Sequence, residues 1–106
     1  TASLIKVELE KFSVDIVRAG HTPTIYYNAL DSKAIFIQQQ GLGLGIIRND
    51  SFSQHIESKQ IRFQQGDIFV LYTDGIIEAR NHKGEQWGSE SILNLIQTYG
   101  SYSANE

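Results

Sequence analysis

A carboxylate delivered to the rim of a buried strand is a common start for a metal or catalytic site, and Asp74 has that setting. It lies within Gly66–Asn81, GDIFVLYTDGIIEARN. Ile68–Tyr72 is an apolar, β-branched and aromatic run, short enough for a strand buried on both faces. Thr73, Asp74 and Gly75 then set an acid and a flexible backbone at its end. Carboxylate oxygen suits the hard ions Mg²⁺ and Mn²⁺, and Gly75 gives a metal-bound water or a substrate room at the backbone. Glu78, Arg80 and Asn81 follow within one or two helical turns. Glu78 faces Asp74 if a helix begins at once; it reads equally as a solvated helix charge. The plainer reading of the stretch is an Asp-Gly turn closing a core strand, and spacing alone favours it. Asp67 stands at the other end of the strand. At ~3.3 Å per residue it is about 20 Å from Asp74, too far to share an ion, so it is expected to serve its turn.

The remaining candidates are weaker. His21 sits in a loop between Gly20 and Thr22-Pro23, where a lone histidine is usually a surface or hydrogen-bonding residue. His21, His55 and His82 show no zinc spacing. Gly41–Gly45 reads GLGLG, which is neither the dinucleotide GxGxxG nor a P-loop, and it is expected to be a tight connection. There is no cysteine nucleophile, and no serine sits in a G-x-S-x-G elbow. Tyr26, Tyr27, Tyr72 and Trp87 suit core or rim packing better than base stacking.

Composition narrows the classes. The 106 residues suffice for one small domain. A net charge of −3 argues against nucleic-acid binding or an anionic membrane surface held by bulk electrostatics. The absence of cysteine excludes disulfides and thiolate metal sites. No apolar run approaches the ~20 residues of a membrane span, and no signal segment opens the chain. Soluble and cytoplasmic is the expectation. Because the chain begins on Thr1 and enters strand pattern at once, it is expected to be a piece of a longer polypeptide.

The positioning elements follow from periodicity. Residues 4–10 and 12–16 alternate as two strands around a turn at Lys11. Gly20–Pro23 ends the second, since Pro23 lacks an amide hydrogen and biases Thr22 away from helix. Ile25–Tyr27 and Ala34–Gln38 form a second hairpin around the turn Asn28–Ser32. Ser53–Phe63 reads as a long exposed strand. A short helix is expected at 76–80. Ser89 is a plausible N-cap, Ile92, Leu93, Ile96 and Tyr99 recur at helical spacing, and Gly100 is a natural stop. The fold class is α+β: a mainly antiparallel sheet with a C-terminal amphipathic helix.

Four segments in order, RAGHTP at 18–23, GLGLGI at 41–46, GDIFVLYTDGIIEARN at 66–81 and GEQWG at 84–88, resemble the bacterial PPM-type (type 2C-like) serine/threonine phosphatases of the SpoIIE and RsbU kind. The resemblance covers nearly the whole chain and makes residues 1–106 the C-terminal portion of one such domain, a partial PPM-phosphatase-like sandwich. It implies metal-dependent dephosphorylation of phosphoserine or phosphothreonine by a water activated between two Mn²⁺ or Mg²⁺ ions. It implies a phosphorylated substrate such as a STAS-type anti-sigma-factor antagonist. Asp74 falls on a metal-coordinating aspartate with Gly75 beside it. Gly20-His21 falls on the AGH motif near the metals, giving His21 an orienting role, and Glu78, Arg80 and Asn81 fall on the motif's supporting tail. The family's first metal motif and its last acidic pair have no counterpart in these residues. The chain by itself is therefore expected to be inactive and to bind metal weakly. Exposed strand edges would then invite a homodimer. The competing expectation is a non-catalytic PPM-like interaction module.

Overall fold

A computed structural model describes residues 2–37 and 58–103. Gly41–Gly45, the Asn49–Ser51 turn and His55 lie outside them. The chain divides into two compact units: Thr1–Pro23 with Gln38–Gln64, and Thr24–Ile37 with Gln65–Glu106.

The first unit is a three-stranded antiparallel sheet. Strand β1 (Ala2–Glu8) pairs with β2 (Ser13–Ala19), and β2 pairs with β5 (Ser58–Arg62). Register sets Ile5 beside Ile16, and Val7 beside Val14 beside Ile61. Val14 and Ile16, in the central strand, are buried. The β1–β2 turn closes where Phe12 donates its backbone N–H to Leu9 and takes a left-handed φ of 50°. That is the geometry of a hairpin loop finished by one left-handed residue. The ring of Phe12 packs on Phe63 at 5.7 Å.

The second unit holds the other three-stranded antiparallel sheet, β4 (Lys33–Phe36), β3 (Ile25–Asn28) and β6 (Ile68–Val70), in that order. Helix α1 is one turn, Asp74–Ile77, and α2 runs Ser89–Tyr99. Helix α2 lies against β3 and β4. Its buried Ile92 joins Ile25, Tyr27, Ala34 and Tyr72 in one cluster, with Ile68, Val70, Ile77 and Ile96 packed around it. The helical spacing read from sequence thus buries Ile92 and packs Leu93 and Ile96 on the cluster, but Tyr99, expected on the same stripe, is half-exposed and packs edge-on against Tyr102 beyond the helix end. The α+β, mainly antiparallel reading holds.

Local details differ from the sequence reading. β6 is shorter than the apolar run and only half-buried, with Leu71 exposed; among the described residues it pairs with β3 alone. Only residues 58–62 of the long strand expected at 53–63 form β5, residues 53–57 falling outside the description. The N-cap of α2 is Gly88, at φ 83°, and Ser89 is the first helical residue. The Gly88 amide donates to the Ile77 carbonyl, so the chain turns into the helix on a backbone bond and not on a serine side chain.

Asp67 braces the second sheet. Its carboxylate accepts the Tyr26 hydroxyl at 2.7 Å and the Ala29 amide at 2.9 Å, tying the start of β6 to β3. Burial first, then the bond to Asp67 and the nearby negative charges, push the Tyr26 hydroxyl up to about 12. An unfolded tyrosine ionises near pH 10. Between about pH 10 and 12 the folded chain therefore holds a proton that the unfolded chain has lost. This contribution to stability is full below pH 10 and falls as pH rises toward 12. Tyr26→Phe is expected to flatten that alkaline fall in melting temperature and to cost about 1–2 kcal/mol at neutral pH, both read by thermal denaturation across pH.

Candidate functional site

Asp74 opens α1 directly after Thr73, the N-cap. The helix starts two residues earlier than the sequence suggests, because the Ile76 amide reaches Thr73 O and the Glu78 amide reaches Asp74 O at 2.8 Å. Its carboxylate is exposed and has no hydrogen bond or ion pair among the described residues. A negative charge in a first helical turn is favourable beside the free N–H groups. A Cβ on Gly75 would meet only Thr73 Oγ1, at 3.6 Å, so neither backbone angle nor crowding demands glycine there.

Glu78 is the C-cap of α1 and is exposed. Arg80 and Asn81 organise the loop that follows. Asn81 Oδ1 accepts the amides of Lys83 at 2.9 Å and Glu85 at 3.0 Å. Arg80 donates to the Gly84 carbonyl at 2.6 Å. Backbone bonds from Trp87 to Ala79 and between Asn81 and Glu85 close the segment like a small hairpin. The loop is thereby fixed to α1, and with it the backbone that carries Asp74. Asn81→Ala removes two loop-closing acceptors and is expected to cost about 1 kcal/mol, a drop of roughly 4–8 °C, read by calorimetry.

Gly20 and His21 belong to the first unit. Gly20 takes a φ of 70° and bridges to Ala2. The His21 carbonyl accepts a bond from Arg18 at 3.2 Å, which holds the loop's backbone. Asp74, Gly75, Glu78, Arg80 and Asn81 all lie in the second unit, so the structure brings those five together within one stretch of chain.

The donor set can be tested against a two-metal centre. Asp74 is a hard oxygen donor of the right kind. Among the described residues, however, no three His, Cys, Asp or Glu side chains gather so that they could hold a metal ion. One carboxylate does not complete even one octahedral Mg²⁺ site. The described residues alone do not fit such a centre. Asp67, which sequence reasoning assigned to a turn, accepts two hydrogen bonds. Its partner Tyr26 is 41 residues away, and no local spacing signals such a pair.

The two antiparallel sheets and α2 belong to a fold seen in known phosphatase domains. The structure of the RsbU and RsbW domains of Rv1364c from Mycobacterium tuberculosis matches with a TM-score of 0.71 and 22% identity, over 93% of this chain and 26% of that one. The phosphatase domain of the cell fate determinant SpoIIE from Bacillus subtilis, presoaked with Mn, matches with a TM-score of 0.60 and 19% identity, over 99% of this chain and 41% of that one. In sequence, the phosphoserine phosphatase RsbU of Bacillus subtilis (strain 168) is 33% identical over 79 residues, which is 72% of this chain and 22% of that protein. Residues 1–106 match the family described as Stage II sporulation protein E (SpoIIE), and the chain belongs to that family. It spans about a fifth of the length of RsbU. No helix among the described residues is long and apolar enough to cross a membrane.

Proposed function

We propose that this chain is part of a PPM-type phosphatase domain that hydrolyses phosphoserine or phosphothreonine on a regulatory protein, with a STAS-type anti-sigma-factor antagonist as substrate. The observation that carries the reading is the family match over the full 106 residues, joined to 33% identity with a phosphoserine phosphatase. In this reading Asp74 is one carboxylate of a Mn²⁺ or Mg²⁺ centre. The other donors come from outside the described residues, because those described supply too few. Asp74 is exposed and has no competing partner among the described residues, which leaves its oxygens available for an ion. Gly75 is its backbone neighbour, Glu78, Arg80 and Asn81 hold the surrounding chain in place, and His21 orients water or ligands.

The test is hydrolysis of a phosphoserine peptide with and without Mn²⁺, on this chain and on any longer polypeptide that its gene encodes. The expected result is Mn²⁺-dependent turnover by the longer form and none by these 106 residues. The short donor set favours one second reading, a non-catalytic module of the same fold that binds a phosphorylated partner. Failure of every form to turn over, with retained phosphopeptide binding, would establish it instead.

A further inference from the structure

We propose that the first unit carries an oxyanion-binding recess, of the phosphate type, at the end of its β1–β2 hairpin. A recess of about 560 Å³ lies there, lined by Glu10, Lys11, Phe12, Ser13, Gln60 and Arg62. Register places Glu8, Ser13 and Arg62 in one row across the three strands, so their side chains stand on one face about 5 Å apart from strand to strand. Ser13 is the floor. Ser13 is 4% exposed, and its hydroxyl has no hydrogen-bond partner among the described residues. A buried hydroxyl without a partner is costly, and such a group calls for a missing one.

Charge points the same way. Glu8 is the natural counter-ion in the row, but its two oxygens are taken by Lys6 at 3.2 Å and Lys11 at 3.3 Å. Arg62 is left with no ion-pair partner among the described residues. By sequence the first unit carries six Lys and Arg against five Asp and Glu, near neutral, in a chain whose net charge is −3. Glu10 on the rim opposes an anion, and Lys11, already paired with Glu8, offsets that only in part. A phosphate oxygen supplies at once the acceptor that Ser13 lacks and the charge that Arg62 lacks, with Gln60 able to donate from the neighbouring strand position. Guanidinium and hydroxyl together are a usual pairing for this geometry. The proposal is independent of the phosphatase reading, since none of these residues belongs to the Asp74 stretch.

The experiment is an amide-resolved NMR titration of the ¹⁵N-labelled chain with inorganic phosphate, at ionic strength held constant with chloride and without divalent metal. Saturable shifts confined to Lys11, Ser13, Gln60 and Arg62 are expected. Arg62→Gln should weaken binding about tenfold and Ser13→Ala about fivefold, while Lys83→Gln in the second unit changes nothing. A phosphoserine peptide in a second arm separates the sources. Tighter binding at the same residues identifies a phosphorylated side chain as the ligand, and equal binding identifies free phosphate. Ser13→Ala removes an unpartnered buried group, so its melting temperature should not fall, which keeps the variant interpretable. Shifts that never saturate, that chloride reproduces, or that survive both substitutions would overturn the site.

Discussion

Asp74→Asn is expected to lower Mn²⁺-dependent phosphopeptide hydrolysis by about two to three orders of magnitude, in whichever form of the protein shows turnover, while lowering the melting temperature by at most a few degrees. The two halves of that expectation have different physical origins. An amide keeps the size and one oxygen of the carboxylate but loses its charge, and groups that stabilise charge at a reacting phosphoryl contribute at about this scale. Stability should change little, because the Asp74 carboxylate is exposed and makes no side-chain bond among the described residues. The bond that holds α1 together runs from the Glu78 amide to the Asp74 carbonyl, and asparagine retains it. Some loss of favourable charge at the helix start is expected, at ~0.3–1 kcal/mol. Steady-state kinetics across Mn²⁺ concentrations, beside a melting curve, separates the two. Activity unchanged in the Asn variant would remove Asp74 from the site. Activity and melting temperature lost together would make the residue structural, as the plain Asp-Gly turn reading holds.

The sequence made some of this legible for clear reasons. Alternation exposed both hairpins, since Ile5, Val7, Val14 and Ile16 fall on one face of β1 and β2, and the helical recurrence from Ile92 to Tyr99 exposed α2. These are local signals, carried within a few residues. What stayed hidden depends on pairs distant in sequence. The Asp67–Tyr26 bond joins two strands whose order in the sheet is not written in either one. The half-buried state of β6 was also hidden, because how much of a strand is covered depends on what packs over its faces, which its own composition does not record. Asn81 illustrates a further limit. Its chemistry suits a site, and in the structure its side chain caps its own loop, an Asx pattern that spacing alone does not separate from ligation. For Asp74 itself, spacing alone favoured a plain turn over a ligand, and the proposal that it holds a metal rests on the family match, not on periodicity.

Gly100→Ala should be the most damaging small change in the second unit, with a cost of about 3 kcal/mol and a drop in melting temperature of roughly 12–24 °C. The sequence reads Gly100 as a natural helix stop, and the helix does end there. The reason is different. Gly100 caps α2 at φ −61° and ψ −24°, angles that alanine adopts without strain. The obstacle is space. A Cβ at Gly100 would stand 2.5 and 2.6 Å from Cε2 and Cζ of Tyr27 and 2.7 Å from the Ile96 carbonyl oxygen. Tyr27 cannot step aside, because it is among the largest fully buried side chains and packs in the cluster with Ile25, Ala34, Tyr72 and Ile92. The Ile96 carbonyl is backbone and moves only if the last turn of α2 moves. Gly84→Ala provides the contrast. Its φ is 80° but nothing lies within 4 Å of an added Cβ, so only the backbone cost of about 1–2 kcal/mol applies. Shrinking the obstacle tests the mechanism: in a Tyr27→Leu background the added cost of Gly100→Ala should fall by at least half, a coupling typical of residues in contact. Equal costs in both backgrounds would show that the carbonyl, not the ring, sets the limit.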